Sequence, residues 1–111
     1  MFSVLLGAFG VHALRGRMAP DLLLAYQTGT QYQFYHSLGL LIVAVLLARF
    51  PERSGFVWAG WLMLIGIVLF SGSLYMLSLT GIRALGAITP IGGLLFIIAW
   101  AILAVTAFRT T

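Results

Sequence analysis

The sequence predicts an all-α integral membrane bundle of four transmembrane helices. Composition is the first observation behind this: 62% of the residues are hydrophobic and 7% charged, against about 25% charged in an ordinary soluble domain. A chain of 111 residues cannot hide that much apolar surface from water, because small domains keep a large share of their surface exposed. The second is charge placement. The arginines, Asp21 and Glu52 divide the chain into four charge-free stretches, residues 1–14, 22–48, 54–82 and 84–108. The third is length: the last three stretches exceed the roughly 20 residues needed to cross about 30 Å of hydrocarbon. They lack the period-two alternation of barrel strands, and backbone in lipid must satisfy its own hydrogen bonds, so helices are expected. The expected organisation is one transmembrane domain, residues 1–111, with helices at about 1–14, 21–49, 56–79 and 84–108.

The first stretch is short. Fourteen residues of helix reach about 21 Å at a rise of about 1.5 Å per residue. It is expected to be a true helix with a shortened start, since Met1 has no basic segment behind it and no small-residue cleavage site follows, as a signal peptide would require. The second stretch has two parts. Pro20 and Asp21 suit a first helical turn, the proline by its fixed φ and the aspartate by the helix dipole. Residues up to Gln33 are too polar to face lipid all round, so they form an interfacial helix or the inward half of one long helix. From Phe34 the run is apolar apart from His36 and Ser37. The third is a plain span. The fourth begins at Ala84 with a kink at Pro90, or at Thr89 with Thr89 as N-cap and Pro90 as first helical residue.

The net charge is +4, and every basic residue is an arginine. These come singly or in pairs at the ends of apolar runs, without the clustered stripe that nucleic acid requires, so nucleic acid is not an expected partner and anionic lipid headgroups are. Four crossings put Arg49, Arg53 and Arg109 on one side of the membrane and Arg15, Arg17 and Arg83 on the other. Three against three leaves the orientation undetermined. Trp58, Trp61 and Trp100 fall in the half near Arg53, as an aromatic belt would, and the four tyrosines in the half near Arg83. The absence of cysteine excludes disulfides and thiolate chemistry.

Specific words stand at fixed places. They are Leu6-Gly7-Ala8-Phe9-Gly10-Val11-His12-Ala13-Leu14, Thr28-Gly29-Thr30-Gln31-Tyr32-Gln33-Phe34-Tyr35-His36-Ser37-Leu38, Phe70-Ser71-Gly72-Ser73-Leu74-Tyr75, Thr80-Gly81-Ile82-Arg83 and Leu85-Gly86-Ala87-Ile88-Thr89-Pro90-Ile91-Gly92-Gly93. In combination they resemble the YgdD/YwdK family of small bacterial membrane proteins, a domain of unknown function, over nearly the whole chain. The resemblance implies a four-pass protein of the bacterial inner membrane and lends no substrate, reaction or catalytic residue. Family members usually carry a longer apolar run before the Leu-Gly-Ala-Phe-Gly word, which agrees with a shortened start here.

Polar residues inside the spans concentrate in the half near Arg83. Polar groups in lipid are costly unless they face protein or a water-filled cavity. His12, Gln31, Tyr32, Tyr35, His36, Ser71, Ser73, Tyr75 and Thr89 are therefore the candidate polar pocket. Helical spacing puts Thr28, Tyr32, Tyr35 and Gly39 on one face, and Ser71, Tyr75 and Ser78 on another. The structural alternative is that hydroxyls and small residues, Gly7, Gly10, Gly60, Gly66, Gly72, Gly92 and Gly93 among them, bind the helices to one another. His12 and His36 are the only histidines. Facing imidazoles can hold a haem or relay a proton, but nothing else in the chain supports a haem, and no cofactor or metal is expected. Asp21 and Glu52 lie in loops on opposite sides, so no nucleophile, base and orienter come together and no enzyme is expected. The reading that follows is a non-enzymatic accessory or interaction subunit, whose partners are the lipid bilayer and another membrane protein or larger membrane complex. The alternatives are binding or transport of a small solute or lipid through the polar pocket, and a haem or quinone site at the two histidines.

Overall fold

The computed structural model describes residues 1–9 and 19–110, and all regular structure in them is helical. The elements are α1 (Phe2–Phe9), α2 (Pro20–Arg49), α3 (Ser54–Thr80), a short 3₁₀ helix (Arg83–Ala87) and α4 (Thr89–Thr110). Each boundary has a local cause. Ala19 is extended (φ −57°, ψ 144°) and hands over to Pro20 in the first turn of α2, where a missing N–H costs nothing. Arg49 closes α2, and Phe50, which precedes a proline, leaves the helical region (φ −127°, ψ 66°). α3 ends at Gly81, whose φ of 73° is left-handed and whose N–H bonds Leu77 O at 2.8 Å, a conformation that glycine adopts without steric cost.

Sequence left two starts open for the last span, and the chain combines them. Residues from Arg83 form the 3₁₀ helix, and α4 proper begins at Thr89 with Pro90 in its first turn. The Thr89 hydroxyl reaches across to Ser73 of α3 at 2.6 Å. Of the expected first helix, Phe2–Phe9 is helical and residues 10–14 lie outside the described residues. Among the described residues three helices are long and apolar enough to cross a membrane: Pro20–Arg49, Ser54–Thr80 and Arg83–Arg109. α1, with eight residues, reaches about 12 Å.

α3 is the central helix, with α2 on one flank and α4 on the other, while α1 lies against α2. The described residues measure 50 × 26 × 15 Å along their principal axes, a flattened layer with α3 in the middle. Val43, Phe56, Ala59, Met63, Ala99 and Leu103 form the buried core near the Arg53 end. Outward faces are apolar too: Val45 and Ile97 are each 68% exposed. Hydrocarbon is the solvent that matches such a surface.

Glycines set how closely the helices approach. A Cβ on Gly92 would lie 2.5 Å from the Phe70 backbone nitrogen, one on Gly66 2.6 Å from the Phe96 ring, and one on Gly29 2.9 Å from the Tyr75 ring. Gly72 is different. Nothing lies within 4 Å of the position its Cβ would take, so it serves no close approach.

Candidate functional site

α2 presents Tyr26, Gly29, His36, Gly39 and Val43 to the interior as buried residues, a stripe with the three- and four-residue steps of a helix face. The face expected from Thr28, Tyr32, Tyr35 and Gly39 is therefore rotated. Gly39 is buried, but Tyr35 is half exposed and Tyr32 lies at the margin.

The polar residues divide among three helix contacts. Between α2 and α3, the Ser71 hydroxyl donates to Gly29 O at 2.7 Å and the Tyr75 hydroxyl to Gln33 Oε1 at 2.5 Å, with the Tyr26 and Tyr75 rings 5.4 Å apart. Between α3 and α4, Ser73 and Thr89 share their bond. Between α2 and α4, the Trp100 indole N–H donates to His36 Nε2 at 2.9 Å. A fourth contact joins α1 to α2 through the Tyr26 hydroxyl and Leu6 O at 2.6 Å. Gln31 is exposed, and His12 lies outside the described residues.

His36 is the most constrained of these groups. Its Nδ1 lies 2.8 Å from the carbonyl oxygen of Tyr32, which only accepts, while the Trp100 N–H only donates. Nδ1 must therefore carry the proton and Nε2 the lone pair, which is the neutral imidazole in a single tautomer. The ring lies flat on Phe96, with centroids 3.5 Å apart and planes 11° apart. Both nitrogens are engaged, so His36 offers no open ligand position for a haem iron unless Trp100 is displaced. No group of three or more potential metal ligands occurs among the described residues.

Next to His36 is a groove of about 770 Å³ between α2 and α4. Tyr32, His36, Phe70, Phe96 and Trp100 form its walls, and Pro90 and Gly93 mark its end near Arg83. The Tyr32 ring packs on Phe70, with centroids 4.6 Å apart. Of the expected pocket residues Tyr32 and His36 line this groove, whereas Ser71, Ser73, Tyr75 and Thr89 are committed to helix contacts beside it. Sequence reasoning passed over Phe70, Phe96 and Trp100. Trp100 in particular looked like part of an interfacial belt. The available signal was the four-residue step from Phe96 to Trp100, which puts both on one face of α4.

Long apolar helices, interior polar groups bonded to one another and outward hydrocarbon faces define a small all-helical membrane protein. The family model described as Protein of unknown function (DUF423) matches residues 6–93, and the chain belongs to this family. It is 50% identical over 109 residues to UPF0382 membrane protein YwdK of Bacillus subtilis (strain 168), covering 98% of this chain and 89% of that protein. Similar figures hold for UPF0382 membrane protein SH2409 of Staphylococcus haemolyticus (49%, covering 98% and 88%) and SAUSA300_0565 of Staphylococcus aureus (49%, covering 98% and 88%). The resemblance read from the sequence words is thus the family found by comparison. No solved structure matches the chain.

Proposed function

We propose that this protein is a non-enzymatic accessory subunit of the bacterial inner membrane whose working surface is the α2/α4 groove, and that the groove takes the hydrocarbon chain of a membrane-dissolved molecule. The observation that carries this reading is how the polar groups are used. Ser71, Ser73, Tyr75 and both nitrogens of His36 are bonded within the protein, so the groove they flank is left with aromatic and aliphatic walls. A polar solute would find few partners there, and a hydrated path would lack the groups to line it. An apolar chain loses nothing by leaving lipid and gains close contact with flat rings. Depth agrees: Pro90 to Trp100 is ten residues of helix, about 15 Å, or roughly half of the 30 Å hydrocarbon core. Four crossings remain part of this proposal, supported by the way α1 is held against α2 through Tyr26 and Leu6.

The test fills the groove. Leu94 lines it and is exposed, whereas Leu79 is exposed on α3 away from it. Native mass spectrometry of protein released from mild detergent should show one retained lipid-like molecule on the wild type and on Leu79→Trp, and none on Leu94→Trp. Equal retention by both variants would remove the groove as a binding surface.

A further inference from the structure

The opposite end of the layer holds a second, chemically different cleft. α3 begins at Ser54 and α4 finishes at Thr110, and Gly55 lets these two ends close up, since a Cβ there would overlap the Thr106 side chain. The closure leaves a cleft of about 320 Å³ lined by Glu52, Arg53 and Ser54 from the start of α3 and by Thr106 and Arg109 from the end of α4. Two arginines, one just before α3 and one near the end of α4, thus line one small space at the end of the helices. Among the described residues the one salt bridge joins Arg83 to Asp21, at the other end of the molecule, so no Asp or Glu side chain of the described residues lies in ion-pair contact with Arg53 or Arg109. Arg49 lies at the same end but is turned over the Phe50 ring, 5.9 Å from its centroid, and does not line the cleft.

We infer that the Arg53–Arg109 cleft is a binding site for a phosphate-bearing anion. Guanidinium is planar and presents paired N–H donors that match phosphate oxygens, and it is more weakly hydrated than ammonium. Basic pockets between transmembrane helices are where anionic lipid headgroups bind. Ser54 on the cleft wall adds a neutral polar residue. Glu52 works against the anion and makes the site weaker than its arginines alone would. The phosphate belongs either to an anionic lipid in the adjoining leaflet or to a soluble phosphate compound, and the chemistry of capture is the same.

The experiment uses the full chain in nanodiscs of mixed phosphatidylcholine and phosphatidylglycerol, with retained lipid counted by native mass spectrometry. Wild type is expected to retain phosphatidylglycerol in preference to phosphatidylcholine. Arg53→Gln and Arg109→Gln should each lower that retention about five-fold, the scale of one basic residue near an anionic surface. Glu52→Gln should raise it, and Arg49→Gln, with the same loss of charge outside the cleft, should leave it unchanged. Excess inorganic phosphate separates the two sources. Competition points to the soluble anion and indifference to the lipid headgroup, and each supports the site. An equal loss in Arg49→Gln and Arg109→Gln would show general surface attraction and overturn the inference, as would equal retention of the two lipids.

Discussion

At His36 one ring joins two helices that otherwise meet mainly through α3. Its Nδ1–H is spent on its own helix, at the Tyr32 carbonyl, and its Nε2 lone pair on Trp100 of α4. Such bonds are modest in membranes because the separated helices find other partners, about 0.6 kcal/mol on average and about 1.7 kcal/mol at most. A double-mutant cycle of His36→Phe and Trp100→Phe should therefore show a coupling inside that range, measured by unfolding in detergent mixtures. The ¹⁵N spectrum of the wild-type ring should show a protonated Nδ1 and a bare Nε2. A protonated Nε2 would mean that Trp100 is not its donor and would remove the link. The sequence did locate His36 as a polar residue that must face protein, because an imidazole in lipid is expensive. It did not disclose Trp100 as the partner, since an indole suits both an interface and an interior donor role.

Element positions were legible because charge is so costly in hydrocarbon. The charge-free runs 22–48, 54–82 and 84–108 coincide with α2, α3 and the 3₁₀–α4 segment. Rotation of each helix about its axis was not. When lipid replaces water, both the buried and the exposed faces are apolar, so hydrophobic periodicity loses its direction. What sets rotation is fit, as at Gly29 under Tyr75 and Gly92 against Phe70, and fit depends on pairs of residues far apart in the chain. That is why the predicted α2 face through Tyr32 and Tyr35 differs from the buried stripe through Gly29 and His36. Two glycines give the test at this scale. Gly92→Ala places a methyl against the α3 backbone, which cannot turn aside as a side chain can, and should cost about 1–3 kcal/mol by overpacking. Gly72→Ala meets open space and should be neutral or stabilise α3 by up to about 1 kcal/mol through helix propensity. Equal effects of the two substitutions on unfolding in detergent would contradict the close α3/α4 approach.

Across the whole molecule the two ends of the layer are held differently. Near Arg53 the helices meet through apolar side chains such as Val43, Met63 and Leu103. Near Arg83 they meet through Ser71, Ser73, Tyr75 and their partners, and the exposed Arg83–Asp21 pair joins the 3₁₀ helix to the start of α2. This polarity of the molecule follows from the sequence, but its direction in the membrane does not, because the arginines balance. α2, α3 and α4 are each long and apolar enough to cross, and three successive crossings would put alternate loops on the same side. Pro51 and Arg109 would then lie together, and Ile82 opposite to them. With no native cysteine, single substitutions report this directly. Pro51→Cys and Arg109→Cys should react alike with a membrane-impermeant maleimide on intact cells, and Ile82→Cys should show the opposite accessibility. Labelling of positions 51 and 82 from the same face would mean that α3 does not cross. The central helix would then lie along the membrane, and the side-by-side packing of α2 and α4 on it would have no place in the bilayer.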